Sequence, residues 1–308
     1  VRHELSEKEK QARSKVCLPL DGLNLEQANE LIKELSGYVG WFKYNDQFIS
    51  AGPLALDFAF DEDVDVFLDL KYNDIPNTVK NHAYNTTRLG VQMFNVHASA
   101  GMEAMKAAVE GREKALVDLK QQEGIDDAER PKIYAVTILT SFDTARLLDT
   151  YKPLLSEELQ DVDFRKYYPV SKLEKKKDEE IKPEEKALID EWEAILDEHG
   201  VRDIIQRQVL HMAKMANDAG LDGIVCSAAE LAYVKPKMPA GFLYTTPGIE
   251  LPKTGEAGAD QMRTFTPANA VRAGSTILVI GRAITGGKTP EERQDRAYSV
   301  LQDMASVL

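Results

Sequence analysis

Three ionisable residues at fixed spacing, Asp69, Lys71 and Asp74, stand in the stretch Phe67 to Thr78, FLDLKYNDIPNT. The run leading into them, Val64 to Leu68, is apolar and strand-like apart from Asp65. Side chains alternate faces along a strand, so Asp69 and Lys71, two apart, are expected on one face. Asp74 falls past the strand end, where Asn73 and Asp-Ile-Pro read as a loop entering a helix. Two carboxylates bracketing an ammonium are costly to bury unless the charges pair. Taken alone, the spacing fits a structural ion pair at a sheet edge better than a catalytic group. Ion-pair networks without function perturb pKa values too.

The surrounding residues change that balance. In chain order they are Leu20-Asp21, Trp41-Phe42-Lys43, Asn95-Val-His97-Ala, Leu139-Thr140-Ser141, Gly220-Leu-Asp-Gly-Ile-Val-Cys226-Ser227, Thr246-Pro247-Gly248-Ile249, Asp260-Gln261 and Gly281-Arg282-Ala-Ile-Thr285. With Asp69-Leu-Lys71-Tyr-Asn-Asp74-Ile-Pro-Asn-Thr78, this set resembles the orotidine 5'-phosphate decarboxylase family. It covers most of residues 16 to 308 apart from a stretch in the middle. Each motif is weak or moderate alone, and their joint order is specific.

The resemblance implies decarboxylation of orotidine 5'-phosphate to uridine 5'-phosphate, the last step of pyrimidine nucleotide synthesis, with no cofactor. Loss of CO2 leaves a lone pair on C6 that the ring delocalises poorly, so a cation must be fixed where that charge develops. The resemblance assigns this to Lys71, which would then protonate C6. It sets Asp69 near the departing carboxylate, and Lys43 and Asp74 in the charge array that keeps Lys71 ionised and aimed. In relatives the second aspartate of the motif reaches the neighbouring subunit's site, which implies a homodimer with Asp74 and Thr78 crossing the interface. Asp21 would hold ribose hydroxyls, and Thr140 the pyrimidine. Gln261, Arg282 and the Gly281 N–H would hold the phosphate under a loop from Ile249 to Gln261.

Some of these residues have plainer readings. Asp21 or Lys43 alone is an ordinary strand-end charge, Thr140 a turn cap, and His97 a structural histidine left out of the site. Two departures from the family pattern stand out. Glu250 replaces an arginine that many bacterial relatives carry after Thr-Pro-Gly-Ile, and Tyr44-Asn45 replaces a small pair. Glu250 is expected to turn away from the phosphate, with Lys253 or Arg263 supplying charge. Two other functions stay open: a Mg2+-dependent sugar-phosphate decarboxylase or aldolase of the same superfamily, and a catalytically silent barrel acting as a binding module.

The elements that must position these residues follow from the apolar pattern. Eight short apolar runs begin at Val16, Tyr38, Val64, Met93, Ile133, Gly223, Leu243 and Thr276, and they alternate with helical segments. Eight such units favour a closed (β/α)8 TIM barrel, an α/β fold, over an open doubly wound sheet. Polar residues end nearly every run, where barrel enzymes carry their chemistry. Residues 1–15 read as a polar tail in preference to a frayed helix, and 16–308 as one barrel domain. Within it, 24 of the 50 residues from 151 to 200 are charged. We read that stretch as an insertion between strand 5 and its helix, with a short amphipathic helix packing Trp192 onto the barrel.

Bulk composition sets limits. The 308 residues carry a formal net charge of −13, so nucleic acid and anionic membranes are not expected as partners, and a phosphate must be held by local groups. The two cysteines and five histidines show neither disulfide nor metal-ligand spacing. No apolar run reaches the ~20 residues of a membrane span and no signal peptide reads ahead of the first strand, so a cytoplasmic enzyme with no metal is expected.

Overall fold

A computed structural model describes residues 3–62, 64–251 and 265–308. Eight parallel strands close in sequence order into a barrel. They are β1 (Val16–Pro19), β2 (Trp41–Tyr44), β3 (Asp65–Tyr72), β4 (Met93–His97), β5 (Lys132–Val136), β6 (Gly223–Val225), β7 (Leu243–Thr246) and β8 (Ile277–Val279). β1 pairs with β8 as well as β2, which leaves no open edge. The strands read as near-continuous apolar runs because each is covered on both faces. Cys17, Phe67, Met93, Tyr134, Ile277 and Val279 fill the barrel interior, and a larger cluster lies between strands and helices. Gly223 makes room for that interior: a Cβ there would lie 2.7 Å from the Tyr134 ring and 2.4 Å from the Leu243 carbonyl oxygen.

Helix ends follow local chemistry. Asn24 and Gln27 form a reciprocal capping box at the start of the helix Leu25–Leu35. Thr289 accepts from the Glu292 N–H at the start of Pro290–Ala305, with Pro290 in the first turn. Between β2 and β3 the chain forms three short helical segments, Asp46–Ala51, Gly52–Ala55 and Asp57–Asp61, in place of one long helix.

Two peripheral readings need correction. The polar start of the chain forms a helix, Glu7–Arg13, with a Ser6–Glu9 capping box. It is tied down because His3 stacks on Tyr298 at 4.1 Å and Arg13 donates to the Ser36 carbonyl. The charged insertion has a small core of its own. Trp192 packs within it, stacked on Tyr167 at 4.8 Å and edge-on to Phe164 at 6.3 Å. The barrel side contributes Ala145 and Leu148 of the helix Thr144–Thr150, together with Val201. Enough apolar side chains recur between the charges to bury one another before any reaches a strand.

Candidate active site

β1, β2 and β3 deliver Asp21, Lys43, Asp69 and Lys71 to one mouth of the barrel, at the C-terminal ends of the strands. They line a cavity of about 600 Å³. Asp69 is its electrostatic centre and is only 6% exposed. Its Oδ2 accepts from Lys71 Nζ at 2.7 Å and lies 2.9 Å from Lys43 Nζ. Lys43 Nζ also donates to both carboxylate oxygens of Asp21, at 2.9 and 2.8 Å. Burial opposes charge on all the enclosed groups, yet here the ion pairs prevail. Burial pulls the Lys43 ammonium down, but Asp69 and Asp21 outweigh it and hold its pKa above the ordinary lysine value. Burial pushes Asp69 up, and Lys43 and Lys71 together bring it below the ordinary carboxylate value. Both shifts favour the charged forms of Lys43 and Asp69.

Asp69 and Lys71 do meet, but through a local geometry other than that of a regular strand. β3 does not run as a regular strand through this stretch: its register against β4 shifts between Leu68 and Tyr72. Lys71 takes a left-handed backbone, φ 51°. The bulge, with Lys71 reaching back to Asp69, makes the contact that simple two-residue alternation was expected to make.

Thr140, Gly281 and Arg282 line the same cavity, from the loops after β5 and β8, as do Phe67, Val136, Ile138 and Val279 on its apolar side. Asp74 and Thr78 are not among its lining residues. Asp74 is exposed, and its Oδ1 accepts from the Ile75 N–H at 2.6 Å. Gln261, with Lys253, Arg263 and most of the expected phosphate loop, lies outside the described residues. His97 ends β4 without lining the cavity. Burial, then the nearby Lys71 charge, keep its pKa below the ordinary histidine value.

Glu250 does not turn away. It lines the cavity, and its Oε1 is buried with no hydrogen-bond partner among the described residues. Two asparagines carry more of the site than the sequence suggested. Asn45 Nδ2 donates to the Asp69 carbonyl at 2.9 Å, and Asn95 bonds both to Asp69 and to the Lys71 backbone. Asn95 stood in the quoted motif, but its role shows only once β3 and β4 lie side by side.

The family model for "Orotidine 5'-phosphate decarboxylase / HUMPS family" matches residues 14–180 and 189–297. The chain belongs to that family. Its members include an orotidine 5'-phosphate decarboxylase from Listeria monocytogenes, 33% identical over 90% of this chain and 94% of its own length. One from Pseudoalteromonas translucida is 35% identical over 90% of this chain and 92% of its own. Among solved structures, the orotidine 5'-phosphate decarboxylase of Lactobacillus acidophilus superposes with a TM-score of 0.64 at 26% identity, over 94% of this chain and 98% of that one. The family break at 181–188 falls within the charged insertion, at the start of the helix Pro183–Glu198. No helix among the described residues is long and apolar enough to cross a membrane.

Proposed function

We propose that this chain converts orotidine 5'-phosphate to uridine 5'-phosphate and CO2, with Lys71 meeting the charge left on C6. One observation carries this reading: a single buried carboxylate oxygen takes two ammonium groups, and the more exposed of them, Lys71, opens onto the cavity. The C6–carboxylate bond breaks with its electron pair staying on C6. The Lys71 ammonium stabilises that pair and then transfers its proton to it, and water returns the lysine to its charged form. Lys43 stays ionised between Asp21 and Asp69 and keeps the array rigid. Asp69 lies beside the departing carboxylate, whose loss removes a like charge from its neighbourhood.

Substrate contacts follow the cavity wall. Asp21 takes ribose hydroxyls, Thr140 the pyrimidine, and the Gly281 N–H and Arg282 the phosphate, with Gln261 from the overlying loop. Binding energy from these distant contacts can be spent at the reacting carbon. The active form is a homodimer in which Asp74 and Thr78 complete the partner's site. Support comes from the exposed Asp74 and from exposed apolar side chains after β2 and β3, Ile49, Leu54 and Ile75. A cytoplasmic setting, with Cys17 and Cys226 kept as buried thiols, goes with this reading. Loss of orotidine monophosphate absorbance, followed with and without chelator, tests it. Turnover indifferent to chelator is expected, and no turnover, or turnover abolished by chelator, overturns it.

A further inference from the structure

Within the site itself, the β3–β4 ladder contains an irregularity with one residue at its centre. Leu68 pairs with Phe94 and Tyr72 with Val96, so Asp69, Leu70 and Lys71 together face Asn95. Lys71 falls outside the registered pairs on both sides of β3. It is also the only non-glycine residue with positive φ among the described residues. A left-handed backbone costs such a residue about 1–2 kcal/mol and persists only where the surroundings impose it.

The Asn95 amide supplies that constraint. Its Oδ1 accepts from the Lys71 N–H at 2.8 Å, and its Nδ2 donates to Asp69 Oδ1 at 2.6 Å. Asn95 is 1% exposed, so water is no ready substitute for either bond. The two ends of the amide are not interchangeable, since one must accept and the other donate. From the other side, Asn45 holds the Asp69 carbonyl. We propose that Asn95 is a positioning residue for the decarboxylation: it pins the bulge that aims Lys71 and fixes the carboxylate that Lys71 pairs with. The inference rests on the function proposed above and deepens it.

The test uses the full chain with Asn95→Ala and the near-isosteric Asn95→Asp, assayed by orotidine monophosphate absorbance across pH. Asn95→Ala is expected to lower kcat about 10²-fold, the cost of roughly 1 Å of misplacement. KM should stay within about twofold, because the ribose and phosphate contacts lie elsewhere in the cavity. The acid limb of kcat should move to higher pH, since Asp69 loses a donor that favours its ionised form. The titratable groups facing Asp69 are Lys43 from β2 with Asp21 behind it, Lys71 on its own strand, the Cys17 thiol on β1 and His97 on β4. All are retained, so the displaced limb reports the missing amide.

Asn95→Asp should behave in the opposite sense. At low pH the introduced carboxyl is protonated, can donate to Asp69 and still accepts from the Lys71 N–H. As it ionises, the donor is lost and activity should fall. A residue that merely filled space would lower thermal stability and leave both pH profiles like the parent's. Parental kcat in Asn95→Ala, or a loss confined to KM, overturns the inference. If Asn95→Ala does not fold, Asn95→Asp decides, and a parental pH profile there overturns it. A parent chain with no decarboxylase activity sinks the proposed function and this inference with it. An active parent matched by both variants sinks the inference alone.

Discussion

Replacing Asp69 with asparagine removes one charge from a cluster of four and leaves nearly every atom in place. In the parent, Asp69 Oδ2 lies 2.7 Å from Lys71 Nζ and 2.9 Å from Lys43 Nζ, and Asn95 holds Oδ1 at 2.6 Å. Each ion pair is worth on the order of 6 kcal/mol in gross Coulomb terms at an effective dielectric near 20. Most of that is cancelled by desolvation, so the net loss on removing one buried partner is about 3–5 kcal/mol. The amide cannot mimic the carboxylate. Whichever way it turns, its NH2 meets either the two ammonium groups or the Asn95 NH2, and two lysines are left facing each other. Denaturant unfolding should therefore show Asp69→Asn less stable by about 3–5 kcal/mol. In the absorbance assay kcat should fall about 10²-fold as Lys71 loses its aim. KM separates two roles: if Asp69 destabilises the bound substrate through like-charge repulsion, KM falls along with kcat. A variant within about 1 kcal/mol of the parent and turning over at the parental rate would refute the electrostatic reasoning.

The same ion pairs set a pH window for stability. Asp69 has a lowered folded pKa, so its contribution is complete above the ordinary carboxylate value of about 4 and is lost as pH falls through the folded pKa. Lys43 has a raised one, so its contribution is complete below about 10.4 and is lost as pH rises through the folded pKa. Unfolding free energy measured against pH should show Lys43→Met flattening the alkaline decline; an unchanged decline contradicts it. Mixing inactive Asp74→Ala and Lys71→Ala chains should restore partial activity, and verified heterodimers without any would remove the shared site. Deleting residues 157–197 with a short linker should preserve turnover while lowering Tm, because Ala145 and Leu148 lose their cover. A folded deletion without activity would give the insertion a catalytic role.

Much of this fold is legible in the sequence. Runs such as Met93 to His97 and Leu243 to Thr246 end where the pattern of side chains ends, because a strand buried on both faces tolerates few polar residues. Asn24 and Thr289 cap their helices through hydrogen bonds only a few residues long, a signal that a sequence carries locally. What was not legible depended on partners distant in sequence. The Lys71 backbone is set by Asn95, 24 residues on, and nothing local signals a left-handed lysine. Trp192 was read as packing on the barrel, but its partners Phe164 and Tyr167 sit among charges that mask their apolar character in sequence. Glu250 looked repelled from a phosphate site, yet its place in the wall is set by the path of the chain after β7.

In the proposed reaction one ammonium group, that of Lys71, meets the charge left by departing CO2. Single-turnover decarboxylation by Lys71→Ala, alongside equilibrium binding of a phosphate-bearing nucleotide, tests it most directly. Turnover should be abolished while binding stays measurable. Near-parental kcat in that variant would contradict it.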